Sequence, residues 1–216
     1  MKNNLFPVAQ EGWKYIGYVG VSFIFFALFD FDILEFISFL ALLFFIFVYR
    51  NPERLAPNFQ ENSVASPVDG VVISIEEIDD KEYAYKIEID SNYLNVSFLR
   101  APLNASLKFI HKKSGARLSK FDDLAKKINE NTELIFEDNH KNKVKIIHMA
   151  KQSFDGITIG VTEGQNVLQS SRYGLMVNGL TTLYLPQNFR LNISVGNELL
   201  ASESLIGYFS KLKKKN

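Results

Sequence analysis

An apolar stretch from Tyr15 to Tyr49 occupies the N-terminal part of this 216-residue chain. The charged residues that interrupt it are Asp30, Asp32 and Glu35. A carboxylate at the centre of a membrane-spanning helix costs ~2.5–3.5 kcal/mol, so these acids indicate a turn and not a helix centre. The stretch is therefore predicted to fold as two helical legs that meet at the acids.

The lengths of the two legs favour a thin or partly inserted membrane hairpin. Residues 15–29 would span roughly 22 Å and residues 33–49 roughly 25 Å, against ~30 Å for the hydrocarbon core. The positive residues that flank the legs all lie on one side: Lys2, Lys14, Arg50 and Arg54. Since positive flanks favour the cytoplasmic side, residues 1–50 are predicted to insert into the inner, cytoplasmic membrane with the larger domain facing the cytoplasm. A buried hairpin in a soluble protein is the alternative.

The composition excludes several classes of site. The chain has no cysteine, which rules out disulfides, thiolate nucleophiles and cysteine-ligated zinc. Lys and Arg number 24, as do Asp and Glu, so the net charge gives no reason to expect a nucleic-acid partner. No metal site is predicted, because the spacing of His140 and His148 matches no ligand pattern; both are interpreted as solvated or core-edge histidines.

Residues 51–216 change to short segments of alternating polarity that are rich in Val, Ile, Tyr and Phe. Gly, Pro, Asn and Asp separate these segments, a pattern typical of strands. The predicted strands are 71–78, 83–89, 94–99, 107–110, 134–137, 144–149, 157–161, 181–185 and 191–195. We expect a mostly antiparallel sheet or sandwich.

One helix is predicted to pack on this sheet. Ser119 is its expected N-cap, with Asp122 three residues later. The apolar face at helical spacing consists of Phe121, Leu124, Ala125 and Ile128.

A weak internal repeat relates the segments 164–170 and 196–202. Each has a glycine, an amide, an aliphatic pair and a serine at equal spacing. Such turns recur in the flattened barrels of lipoyl and biotinyl carrier domains, where glycine relieves a tight bend. Two unrelated loops are the alternative. The carrier function itself is disfavoured, since no lysine hairpin tip of the carrier type is present.

Several motifs in shared order resemble those of short-form phosphatidylserine decarboxylases. They lie at residues 49–54, 65–72, 101–104, 120–121, 131–133, 163–164, 172–174 and 183–186. The resemblance covers most of the chain and implies a phosphatidylserine-decarboxylase-like sandwich with barrel features of the lipoyl and biotinyl type. Members of this family are membrane-bound precursors that cut themselves at a Gly-Ser bond. The serine becomes a pyruvoyl group, so no external cofactor is expected.

The resemblance also implies a self-cleavage triad, and the chain departs from it at two positions. Asp69 matches the family aspartate that orients a histidine. Ser106 stands where the family has that histidine, and Leu180 follows Gly179 where the family has the serine. His111 is five residues from the family histidine position, and no Gly-Ser dipeptide occurs in the chain.

Thr181 is a candidate substitute nucleophile, since its hydroxyl could attack the carbonyl of Leu180 and leave a 2-oxobutyryl group. A β-branched nucleophile and the loss of glycine at the scissile bond both disfavour this chemistry. Catalytic residues that act as a unit fail together, so the two replacements predict the loss of self-cleavage.

Three functional hypotheses follow. The first is a membrane-anchored, catalytically degenerate family member in phosphatidylethanolamine metabolism with a lipid-binding or accessory role. Its expected partners are phosphatidylserine or phosphatidylethanolamine in the membrane, and an active paralogue or a second copy of itself in a homo-oligomer. The second is an active decarboxylase that uses Thr181. The third is a membrane-tethered adaptor whose lipoyl-like barrel binds another protein.

Overall fold

The computed structural model of this protein describes residues 6–54, 57–119, 122 and 124–210. The contacts divide the chain into two compact units, residues 2–53 and residues 54–216. Lys2, Lys120 and Phe121, on which parts of the sequence analysis rest, lie outside the described residues.

Two helices form the first unit, α1 (Trp13–Leu28) and α2 (Asp32–Val48). The turn between them falls at the acids, with Asp30 at a φ of 55° and Asp32 and Glu35 in the first turn of α2. Negative charge is favourable there because the helix N-terminus carries a partial positive charge. The predicted hairpin turn is therefore present.

Aromatic rings hold the two helices together. Tyr15 stacks on Phe45 with 5.2 Å between ring centroids, and Phe23 lies 6.1 Å from Phe39. The base of the pair is closed by the chain before α1, where the Ala9 amide donates to the Tyr49 carbonyl at 2.8 Å.

The two helices have 16 and 17 residues. Among the residues that the structure describes, no helix combines the length and the apolar character needed to cross a membrane.

Within the described residues, fourteen strands make up most of the second unit. Their bounds are β1 (Ser63–Ala65), β2 (Gly70–Glu77), β3 (Tyr85–Ser91), β4 (Phe98–Arg100), β5 (Ala105–Lys113), β6 (Asn131–Glu137), β7 (Lys143–Ala150), β8 (Thr158–Ile159), β9 (Asn166–Val167), β10 (Arg172–Leu175), β11 (Gly179–Leu185), β12 (Phe189–Leu191), β13 (Glu198–Leu199) and β14 (Leu205–Phe209). All pairings between these strands are antiparallel, which confirms the predicted mostly β fold.

One sheet of eight strands carries most of this unit, in the order β13-β2-β3-β11-β7-β6-β5-β9. Two smaller sheets have the orders β1-β14-β12 and β4-β10-β8. Alternation along β6 buries every second residue, as the polarity pattern predicts. The core contains side chains from both the large and the small sheets, among them Ile87, Leu134, Phe136, Ile146, Tyr173, Leu183 and Phe189.

The predicted repeat has a structural counterpart. Gly164 and Gly196 both adopt positive φ, 80° and 91°, and each precedes a two-residue strand. Ser170 and Ser202, six residues after each glycine, have φ of 70° and 72°. Because four backbone positions agree in pairs, the two segments are one turn structure used twice.

The predicted helix is largely wrong. The described helix, α3, covers only Ala125–Ile128, and its N-cap is Leu124 without a side-chain bond. Ser119 instead accepts the Asp122 amide through its carbonyl in a turn. The helix ends at Ile128, and beyond it the Asn129 side chain accepts from the Leu118 amide and donates to the Leu118 carbonyl.

The strand prediction also failed in places. Of the predicted strand 191–195, only Leu191 belongs to a strand, the end of β12. Five short strands were not predicted at all: β1, β9, β10, β13 and β14. Two to five residues of strand give too little alternation to be recognised in a sequence.

Candidate functional site

The segment from Gly179 to Leu185 is β11, which lies between β3 and β7 in the large sheet. Gly179 pairs with Ser91 on one side and with Ala150 on the other. A Cβ at Gly179 would lie 2.3 Å from the Met176 sulfur and 2.6 Å from the Met149 carbonyl oxygen. Only glycine therefore fits at this position.

Leu180 is buried directly after Gly179. Its partners across the two ladders are Asp90 and Met149. The leucine side chain has no hydroxyl. The bond after Gly179 therefore lacks the serine nucleophile that the family resemblance implies at this position.

Thr181 is completely buried, and its hydroxyl oxygen lies 2.8 Å from Nδ1 of His148. The other ring nitrogen of His148, Nε2, lies 2.6 Å from the Tyr173 hydroxyl. The three side chains thus form a chain of hydrogen bonds inside the core. Burial lowers the pKa of His148 to about 3, so the ring is neutral at pH 7. Burial likewise raises the pKa of Tyr173 above its usual range.

Asp69 lies at the same end of β3 as Gly179. The Ser91 hydroxyl donates to the Asp69 carbonyl at 2.5 Å, and Ser91 is the ladder partner of Gly179. The carboxylate of Asp69 is buried and accepts hydrogen bonds from both terminal nitrogens of Arg54, at 2.5 and 2.7 Å. The structure therefore brings Asp69 close to the Gly179 region through Ser91.

Ser106 is held in a different part of the sheet. It lies on β5, opposite Glu137 of β6 and Asn166 of β9. In the strand order, β6 and β7 lie between β5 and β11. The hydrogen-bond ladder therefore does not make Ser106 a neighbour of Gly179 or Leu180.

The remaining histidines lie outside this region. His111 is exposed on β5, where its ring lies 6.4 Å from that of Phe109. His140 is exposed in the turn after β6, where its amide donates to Asp138. Within the ranges described above, no three His, Asp or Glu side chains are arranged to hold a metal ion.

Two features of the site were missed by the sequence analysis. His148 is fully buried against Thr181 and is neither solvated nor at the core edge, so that interpretation was wrong. Lys151 is also buried, and its ammonium pairs with Asp90, the ladder partner of Leu180. The period-2 alternation of β7 could have placed His148 in the core, but not opposite a particular threonine.

The family model described as phosphatidylserine decarboxylase matches residues 41–207. The chain belongs to the phosphatidylserine decarboxylase family. Among its relatives is the phosphatidylserine decarboxylase proenzyme of Desulfotalea psychrophila, 31% identical over 206 residues, with 93% of this chain and 96% of the relative covered.

Two further relatives have the same description. The phosphatidylserine decarboxylase proenzyme of Geotalea uraniireducens is 30% identical over 211 residues, covering 96% of this chain and 99% of the relative. That of Geobacter sulfurreducens is 28% identical over 216 residues, with the same coverage. Family membership thus extends over nearly the whole chain, and it places the protein in phospholipid metabolism.

The pyruvoyl group of phosphatidylserine decarboxylases is made from a serine of the chain itself, so the residues present can be tested against it. At Gly179 they do not fit, because the next side chain is that of Leu180. The nearest hydroxyl along β11 belongs to Thr181, which His148 already engages.

Proposed function

We propose that this protein is a membrane-anchored phosphatidylserine decarboxylase homologue that has lost pyruvoyl formation and has a lipid-binding or accessory role in phosphatidylethanolamine metabolism. The observation that carries the proposal is Leu180, buried in the β11 ladder directly after Gly179. Ser106 at the family histidine position supports it, because a hydroxyl cannot act as the base that an imidazole provides.

Intact-mass spectrometry of the purified full chain tests the loss of self-cleavage. We expect a single species with the mass of the uncut polypeptide. Two fragments, the smaller one with a keto-blocked N-terminus, would contradict the proposal.

The membrane part of the proposal is supported by the surface of the hairpin. Large apolar side chains of α1 and α2 are exposed, among them Tyr18, Val21, Ile24, Leu28, Ile33 and Phe36. Soluble proteins rarely expose contiguous apolar patches larger than a few hundred Å², and larger ones mark contacts with membranes or partners. The proposed ligands are therefore the bilayer and its phosphatidylserine or phosphatidylethanolamine, at the inner membrane with the larger unit facing the cytoplasm.

Vesicle flotation of the full chain tests this binding, and the chain offers a matched pair of variants. Ile24 on α1 and Val195 on the second unit are equally exposed, 59% each. A lysine in the membrane interior costs ~2.5–3.5 kcal/mol, so Ile24→Lys should weaken binding roughly tenfold or more, whereas Val195→Lys should not. Phosphatidylcholine vesicles, with or without added phosphatidylserine or phosphatidylethanolamine, distinguish headgroup recognition from general insertion. Equal binding by both variants would refute the hairpin as the membrane contact.

The second candidate function is an active decarboxylase with Thr181 as nucleophile, and the contact with His148 favours it. His148 would take the hydroxyl proton as the Thr181 oxygen attacks the Leu180 carbonyl, and would return it to the leaving nitrogen, so that an ester replaces the Leu180–Thr181 amide. Elimination from the ester and hydrolysis would release ammonia and leave a 2-oxobutyryl group. The lowered pKa of His148 makes it a weak base for this role.

The two candidates give different masses. Cleavage at Thr181 would yield a fragment of residues 1–180 and a keto-blocked fragment from position 181, and Thr181→Ala would abolish both. An uncut chain, together with unchanged lipid composition when Thr181→Ala replaces the native protein in a dependent strain, rejects the second candidate.

A further inference from the structure

The carboxylate of Asp69 has four hydrogen-bond contacts. Oδ1 accepts hydrogen bonds from Nη1 of Arg54 at 2.5 Å and from the Ala201 amide at 2.8 Å. Oδ2 accepts Nη2 of Arg54 at 2.7 Å and the Val96 amide at 3.2 Å. An ionised carboxylate has about four lone-pair sites. These four contacts occupy the acceptor sites of the Asp69 carboxylate, and a histidine that this carboxylate oriented would need one of the same sites.

The two repeats provide an independent comparison for Asp69. Asn104 Oδ1 accepts the Gln169 amide at 2.8 Å, just as Asp69 Oδ1 accepts that of Ala201. Gln169 and Ala201 occupy the same position in their repeats, five residues after Gly164 and Gly196. Asp69 and Asn104 thus close equivalent turns.

The backbone before Asp69 and the backbone before Asn104, 35 residues later in the chain, are also paired with each other. The Ala65 amide donates to the Pro102 carbonyl at 2.8 Å, and the Arg100 amide donates to that of Pro67 at 2.9 Å. These reciprocal bonds relate the segment around Pro67 to the segment around Pro102 by a local two-fold arrangement. Asp69 and Asn104 each lie two residues beyond the proline of their segment.

The two positions differ in burial and in their partners. Asn104 is exposed, whereas Asp69 is buried and forms an ion pair with Arg54. A buried carboxylate needs a partner of opposite charge, and Arg54 supplies it in bidentate geometry. Arg54 also donates to the Ala201 carbonyl at 2.9 Å, so it binds the same turn that Asp69 closes.

We propose that Asp69 is a structural anchor: through Arg54 it fastens the connector to the second repeat turn, and it does for that turn what Asn104 does for the first. The described part of the connector consists of Arg54 and residues 57–62. This role explains why position 69 is an aspartate in a chain that has Ser106 and Leu180 at the other two positions of the family triad. It requires no catalytic function of Asp69. The inference goes beyond the proposed function, since it concerns how the connector is held.

Limited chymotrypsin digestion of the full chain tests the anchor. The readout is the rate at which the fragment beginning at Gln60 appears after cleavage at Phe59, which lies in the connector. Breaking a buried ion pair leaves an uncompensated charge, so Arg54→Met and Asp69→Asn should each raise this rate roughly tenfold or more. The double variant should cleave no faster than the faster single variant, because both changes remove one interaction.

Matched controls separate the anchor from general effects. Arg190→Met changes an exposed arginine of β12, and Asn104→Asp keeps the acceptor oxygen of the other turn; neither should alter the rate at Phe59. If Asp69→Asn fails to fold, Arg54→Lys keeps the charge, loses the bidentate geometry and should raise the rate to a lesser degree. An unchanged rate in Arg54→Met, or single effects that multiply in the double variant, would overturn the proposal. Self-cleavage would be seen separately, as fragments near position 180.

Discussion

Thr181 and His148 face each other across the β7–β11 ladder, and 2.8 Å separates the threonine hydroxyl from Nδ1 of the imidazole. Together with Tyr173, which belongs to the hydrophobic core, they form a chain of hydrogen bonds between buried side chains. Its members are satisfied by one another, which is the condition under which buried polar groups are tolerated.

Thr181→Val should destabilise the protein. It leaves a buried ring nitrogen of His148 without its partner, at a cost of roughly 1–3 kcal/mol in the free energy of unfolding. Urea unfolding followed by circular dichroism measures the loss. Thr182→Val is the control, since the neighbouring threonine is also buried but points to the other face of β11. Equal losses in the two variants would argue against the polar chain.

The free energy of unfolding should decrease as the pH is lowered from about 6.5 to 5, because the pKa of His148 is lowered from 6.5 to about 3 in the folded state. The unfolded chain therefore binds a proton in this window that the folded chain does not, and stability is lost as pH falls, by roughly 1 kcal/mol per unit. Unfolding free energies at pH 7, 6 and 5 measure the slope. His148→Gln should flatten it and His140→Gln, at an exposed position, should not; equal slopes in all three proteins would contradict the assignment.

Leu180→Ser recreates a Gly-Ser dipeptide at position 179, yet we expect no self-cleavage. Ser106 still occupies the family histidine position, and a unit that lacks its base does not regain activity from its nucleophile alone. Intact mass after prolonged incubation is the measurement, with Leu180→Ala as the control for the lost leucine side chain. Fragments from the serine variant alone would mean that the base is supplied elsewhere, with His148 as the first residue to test.

Gly164→Ala and Gly196→Ala should each destabilise the protein by roughly 1–2 kcal/mol, because an alanine at positive φ is strained. Both positions have open space for a Cβ, so the cost is conformational and not steric. Gly17→Ala is the matched control: it also has open space, but its helical φ should make the change neutral or stabilising. Thermal unfolding compares the three variants: unequal shifts for the two turn variants would contradict the equivalence of the two turns, and an equal shift in Gly17→Ala would contradict the conformational origin of the cost.

Much of the fold could be predicted from local patterns. The acids of the hairpin fell at its turn, because charge is costly inside an apolar leg. Long strands such as β6 and β7 were found by alternation, and the repeat at Gly164 and Gly196 by spacing alone. These features are local, so a single sequence contains the information.

The rest depends on pairing between distant segments. Thr181 is 33 residues from His148, and Asp69 is 132 residues from Ala201. No pattern within one strand tells which strand will lie beside it or in what register. The helix prediction failed at its N-terminal end, where the Asp122 amide bonds the Ser119 carbonyl in a turn and the helix begins only at Ala125.

The two repeat turns also determine how this protein can meet a second copy of itself. They place β9 and β13, strands of two residues each, at the outer edges of the eight-stranded sheet. A long unpaired edge strand invites pairing with another chain, and very short edge strands are one way in which proteins prevent it. Strand addition by a second copy along either edge of the large sheet is therefore disfavoured, because β9 and β13 each offer only two residues of backbone.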